Sequence, residues 1–126
     1  MKKSILLSVK PKWVKKILDG SKTIEVRRNF PKCEVETAYI YRSNSHKDNG
    51  NKIVGSFTPK ARQIETGYLP YCISQTCLTE EEYYEYVGKR KTVWLIEITN
   101  FVAYDNPKDL SDLRVGKAPQ NFCYVD

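Results

Sequence analysis

The 126-residue chain contains one histidine, His46, and one methionine, and it has no Cys-x-x-Cys pair. A Ser-His-Asp or Cys-His nucleophile would have to use His46, which sits in the Ser/Asn/Lys-rich stretch 43–51 with no Gly-x-Ser-x-Gly elbow in the chain. That disfavours the class. A structural zinc site needs four ligands at a spacing absent here, so no metal is expected. Nor does any Gly-Lys-Ser/Thr ending follow the glycines at Gly50 and Gly55, so no phosphate-cradling loop is expected. No apolar run approaches the roughly 18 residues of a membrane span. The start, Met1 to Lys10, holds only a short apolar stretch interrupted by Ser8, too short for a signal peptide. The expectation is a cytoplasmic protein with no membrane contact. Its four cysteines, Cys33, Cys72, Cys77 and Cys123, are then expected as reduced and mostly buried thiols.

What is present suits a globular fold. Hydrophobic residues make up 40% of the chain and charged residues 29%, and this length is that of one domain, expected over 1–126. The formal net charge of +6 is uneven. Residues 1–28 carry nine Lys and Arg against Asp19 and Glu25, whereas the remainder is nearly neutral. A basic N-terminal surface favours nucleic acid or other phosphates as partners. A merely solvated lysine face would carry the same charge.

Periodicity sets out the elements. Ser4–Val9 reads as a buried strand. After Lys10, Pro11 opens a short helix with Trp13, Val14, Ile17 and Leu18 on one face and Lys12, Lys15, Lys16 and Asp19 on the other, and Gly20 stops it. In Thr23–Arg28, Ile24 and Val26 alternate with Thr23, Glu25 and Arg27, the pattern of a half-buried strand. Further strands are expected at Val35–Arg42, at Lys52–Phe57 continuing irregularly past Pro59, at Lys91–Asn100 and at Phe122–Val125. Residues 43–51 read as a hairpin loop, 65–78 as loop with one helical turn, and 104–115 as turn-rich. Thr79 and Glu82 form a capping box opening a helix Glu80–Val87. Six strands and short helices point to an α+β fold, a small mixed sheet or barrel.

The polar face of the Thr23–Arg27 strand is the main chemical signal. A carboxylate and a guanidinium two residues apart suit recognition of a polar ligand, Arg27 taking phosphate or a base edge and Glu25 accepting from an amino group. An exposed salt bridge of small energetic worth would give the same pattern. Tyr39, Tyr41 and Tyr124 on strands could stack bases or simply pack in the core.

The run Ile5-Leu6-Leu7-Ser8-Val9-Lys10-Pro11-Lys12, followed by Ile17-Leu18-Asp19-Gly20-Ser21-Lys22-Thr23-Ile24-Glu25-Val26-Arg27-Arg28, resembles the opening of the ASCH domain, a member of the PUA-like superfamily. Its hallmark is a helix ending in Gly-x-Lys-x and then a strand with an arginine. The similarity extends through Val35–Arg42, Ile53–Phe57 and Val93–Ile98 to Lys117–Val125, whose Pro119-Gln120 and Tyr124-Val125 are like the Pro-Gln-Ser-aromatic-x-Tyr-Val ending of small prokaryotic and phage members. The resemblance implies a small mixed β-barrel with two or three flanking helices and a cleft built from the Gly-x-Lys strand. It also implies binding of RNA or a modified nucleotide, without a cofactor. Lys22, Thr23, Glu25, Arg27, Tyr41, Gln120 and Tyr124 would then line the cleft, with Lys10, Lys12, Lys15 and Lys16 as a basic surface. One branch of the superfamily hydrolyses N-acetylcytidine with a Lys, a Thr nucleophile three residues later and a Glu. Lys22 matches that lysine, but the threonine position is Glu25, which would attack an amide poorly. Hydrolysis, with Lys22 as base or electrostatic stabiliser and Glu25 directing water rather than attacking, is thus the alternative to binding, and a protein-interaction module in transcription-related regulation is a third reading.

Overall fold

The computed structural model describes residues 2–43 and 51–125. Six strands form one mixed sheet: β1 (Lys3–Val9), β2 (Ile24–Arg27), β3 (Val35–Arg42), β4 (Ile53–Glu65), β5 (Thr92–Lys108) and β6 (Phe122–Val125). The helices are α1 (Pro11–Leu18), α2 (Ile73–Thr76) and α3 (Glu80–Val87), with a 3-10 turn at Leu110–Leu113. The expected hairpin loop, with His46, falls almost wholly on 44–50, outside the described residues. No described helix is long and apolar enough to cross a membrane.

The strand order is β2-β5-β4-β3-β1-β6. β1 runs parallel to β3 and antiparallel to β6, and the remaining pairings are antiparallel. β1 reads as a continuous apolar run because it lies inside the sheet and both of its faces are covered. Ile5, Leu7 and Val9 join the cluster beneath α1, with Val14, Ile17, Ala38, Phe57 and Ile96. Leu6 packs on the other side with Tyr41 and Ile53. A third cluster joins Ile24 and Val26 of β2 to Val93, Leu95, Cys72, Tyr83 and Val87, beneath α2 and α3.

The β-barrel that the resemblance implies does not close. Among the described residues β2 and β6 are the two edges of an open sheet. Two long strands carry the sheet's main irregularities. β4 and β5 run 13 and 17 residues, and their pairing shifts register between Ile53 and Gly55 and between Ser56 and Thr58. Such irregularities bend a ribbon. At Gly55 a Cβ would meet the Val102 carbonyl oxygen at 2.5 Å and the Phe101 ring at 3.0 Å, so only glycine permits the close approach. β5 also extends to Lys108, through part of the segment expected as turns; antiparallel pairing with β4 holds it extended against weak local propensity.

Local signals fared well at the helices. Thr79 Oγ1 accepts from the Glu82 amide at 3.0 Å while the Thr79 amide donates to Glu82 Oε1 at 2.9 Å. The Thr79 amide in turn holds the Glu82 carboxyl below its usual range. Pro11 occupies the first turn of α1, and Gly20 follows the helix at φ 84°. The cysteines are less buried than expected. All four are free thiols, but only Cys72 is buried, Cys77 and Cys123 are half-buried, and Cys33 is exposed.

Candidate nucleic-acid interface

Strand parity divides β2 as its alternation suggested. Ile24 and Val26 enter the core beneath α3, which turns Glu25 and Arg27 to the opposite face. That face is covered too. Lys22 is 2% exposed and Glu25 6%, so a row expected to meet water forms a buried ionic network. Lys22 Nζ donates to the Thr76 carbonyl at 2.5 Å and lies 3.4 Å from Glu25 Oε1. The same ammonium sits over the Trp13 ring, 4.9 Å from its centroid. Glu25 Oε1 also accepts from the Val26 amide at 3.2 Å, and Oε2 accepts from Arg27 Nε and NH2 at 3.2 and 3.0 Å.

Arg27 then reaches across the molecule. One terminal nitrogen donates to the Ser8 carbonyl of β1 at 2.6 Å and the other to Asn121 Oδ1 at 2.9 Å. Asn121 Nδ2 donates on to the Asn29 carbonyl at 3.1 Å. The guanidinium thereby ties β2, at one edge of the sheet, to β1 and to the residue preceding β6 at the other end. A side chain bridges where no strand pairing closes the sheet. Burial alone would push the Glu25 carboxyl up, but Arg27 and Lys22 outweigh it and hold the group below its ordinary value.

Above this floor opens a cleft of about 920 Å³. Ser8 and Lys10 line it from the end of β1, Trp13 from α1, Glu25–Asn29 from β2 and its exit, residues 85–90 from the end of α3, and Gln120 and Asn121 from the C-terminal segment. Lys10, Arg27, Arg28, Lys89 and Arg90 contribute positive charge there, against Glu25 and Glu85. Arg28 lies over the Tyr86 ring at 4.7 Å, and its amide donates to Tyr86 Oη at 3.1 Å. Arg90 donates to the Arg28 carbonyl at 2.8 Å and to Asn29 Oδ1 at 3.2 Å, which holds the turn after α3 against the exit of β2.

Of the residues singled out from sequence, Glu25, Arg27, Gln120 and Lys10 line this cleft. Lys22 lies beneath it, enclosed by Trp13, Thr76 and Glu25. Thr23 is exposed ahead of β2 and is not among the lining residues. Tyr41 is buried with Leu6 and Ile53 elsewhere in the core. Tyr124 packs edge-on against Phe122, its hydroxyl 3.7 Å from Cys33 Sγ, outside the cleft. Lys12 bonds Glu82 at 3.3 Å and lies over Trp13 at 4.6 Å. Lys15 lines a separate hollow with Leu18 and Arg42, and Lys16 is half-exposed on α1. Sequence reading missed Ser8, Trp13, Asn121 and the 85–90 segment. For Asn121 a signal existed in its place next to Gln120. The post-helical Gly88-Lys89-Arg90 run carries only turn chemistry, with nothing to say which element it meets.

The architecture is shared with solved proteins. ASCH from Zymomonas mobilis superposes with a TM-score of 0.82 at 21% identity, covering 98% of this chain and 88% of that one. A Ser-to-Ala variant of the same protein superposes at 0.81 with 20% identity, covering 99% and 89%. These likenesses establish the fold, a mixed sheet flanked by helices. Residues 7–110 match the ASCH domain, and the chain belongs to that family. A curated relative, ATP synthase subunit alpha of Ureaplasma parvum serovar 3, is 24% identical over 127 residues. The match takes in 98% of this chain, which spans 15% of that protein's length.

Proposed function

We propose that this protein binds RNA or an RNA-derived nucleotide in the cleft above Lys22, Glu25 and Arg27. The observation that carries the reading is the cationic lining over a fixed ionic floor. Lys10, Arg28, Lys89 and Arg90 surround an opening of about 920 Å³, large enough for a nucleotide. Buried Glu25 orients Arg27, whose remaining N–H faces no partner among the described residues. Arg27 and Arg28 contribute charge-assisted contacts to phosphate or a base edge, Gln120 reads a base edge, and Lys10 with the α1 lysines adds salt-dependent attraction. Family membership supports the same reading.

Binding is favoured over hydrolysis by the state of Glu25. Both of its oxygens are engaged by donors, and flanking cations keep it ionised. Such a carboxylate is a poor nucleophile and, with its oxygens occupied and its proton affinity lowered, a weak base toward water. Fluorescence-anisotropy titration of labelled single-stranded RNA at several salt concentrations tests the proposal. Arg28→Ala should weaken binding tenfold or more, with a shallower salt slope. Equal affinity for wild type and Arg28→Ala would remove the cleft as the site. Acetate release from N-acetylcytidine above a protein-free control would favour the hydrolase reading instead.

A further inference from the structure

The aromatic groups inside the cleft are already covered. Trp13 carries the Lys12 and Lys22 ammonium groups at 4.6 and 4.9 Å, and Tyr86 carries the Arg28 guanidinium at 4.7 Å. The most open aromatic faces are not among the cleft-lining residues. Tyr68 is 74% exposed and Tyr71 90%, three residues apart on the loop between β4 and α2. Neither belongs to a hydrophobic cluster, although Leu69 between them and Cys72 after them do. Anchoring the loop through Leu69 and Cys72 leaves the two tyrosines displayed on a supported segment.

The loop is joined to the cleft wall. The Thr66 amide donates to the Lys91 carbonyl at 3.0 Å, and Thr66 Oγ1 donates to the Arg90 carbonyl at 2.5 Å. Arg90 and Lys89 line the cleft on the other side of that junction. A tandem of exposed cations, Lys89-Arg90-Lys91, thus runs from the cleft wall to the junction with the loop that carries the tyrosines. Cations that track a phosphate backbone beside aromatic faces that accept bases are the two parts of a single-strand site. A lone exposed tyrosine needs no explanation; two of them on a loop hydrogen-bonded to the backbone of Arg90 and Lys91, beside cations that line a basic cleft, form an arrangement.

We propose that the ligand is a single-stranded RNA segment several nucleotides long. One nucleotide occupies the cleft, the backbone crosses Lys89-Arg90-Lys91, and flanking bases stack on Tyr68 and Tyr71. This rests on the cleft reading and extends it from a nucleotide to a strand.

Anisotropy titrations with a fluorescein-labelled uridine decamer and a labelled uridine dinucleotide test it. Tyr68→Ala/Tyr71→Ala should weaken the decamer at least tenfold, since one stacked base is worth roughly that or more. The dinucleotide should be unaffected. Tyr68→Phe/Tyr71→Phe keeps the rings and should bind the decamer like wild type. Unchanged decamer affinity in the alanine pair, with Arg28→Ala still weakened, overturns the platform and leaves the cleft standing. Loss in the alanine pair with Arg28→Ala unaffected overturns the cleft and keeps the platform. Equal decamer and dinucleotide affinity in wild type overturns the strand proposal alone, and no binding of either RNA overturns both.

Discussion

Two sets of cations from the first 28 residues meet opposite fates. Lys22, beneath the cleft, and Arg27, in its floor, are held by Glu25, two backbone carbonyls and Asn121. Lys10, Lys12 and Lys15 stay in water. In a poorly polarisable interior a charge must be paired and hydrogen-bonded, and removing one partner strands the rest. At the surface the same charge is screened within about 10 Å at 0.1 M salt. The tied pair therefore sets geometry, and the exposed lysines set attraction. Counting basic residues merges these roles.

The sharpest way to break that contrast is Glu25→Gln, which leaves buried Lys22 and half-buried Arg27 without their counter-charge. It should cost about 3–5 kcal/mol of stability, read as a lower midpoint in urea or heat. If Glu25→Gln unfolds at the wild-type midpoint, the network is not structural. The same residue makes stability depend on pH. Its folded carboxyl lies below the ordinary value of 4.5, so the unfolded chain binds its proton first. The stabilisation is fully present above the ordinary value and is lost as pH falls through the lower folded value. Denaturation midpoints of wild type between pH 6 and 3 should fall below about pH 4.5, and Glu25→Gln should show a shallower decline.

Arg27→Lys keeps the charge but loses the planar fork that joins Glu25, Ser8 and Asn121. The expected cost is about 1.5–3 kcal/mol, that of a charge-assisted bond left unmade. Amide hydrogen exchange should quicken at 122–125, because the side chain bridges where strand pairing does not close the sheet. Unchanged exchange there would show that β6 is held by β1 alone. The smallest effect belongs to Lys15→Ala on the wet side of α1. Stability should stay within about 0.5 kcal/mol of wild type, and RNA affinity should fall slightly and equally for all sequences, with the salt slope reduced by at most about one.

Legibility followed distance along the chain. The Thr79–Glu82 box spans three residues and the β2 alternation four, and both were readable because a cap and a pleat are decided by near neighbours. The open sheet was not. Period-two patterning says that a strand has two faces, but it is silent on whether the outer strands meet. The cleft was legible in its floor and not in its walls. Glu25 and Arg27 share a face by parity, whereas Trp13, Tyr86 and Arg90 reach the site through helix placement. Tyr41 and Tyr124 looked like stacking residues because a tyrosine on a strand reads alike in core and cleft.

From the sequence alone came the elements, their caps, the split of β2 into apolar and polar faces, and the family resemblance in the Gly-Ser-Lys-Thr run. All of these rest on interactions between residues a few positions apart. Tertiary structure alone decided that the polar face of β2 would be buried and paired. The partners that make this tolerable are the Ser8 carbonyl, the Thr76 carbonyl and Asn121, which lie 19, 54 and 94 residues from the side chains they receive. A charge enters the interior only where such acceptors converge, and their convergence is a property of the folded chain.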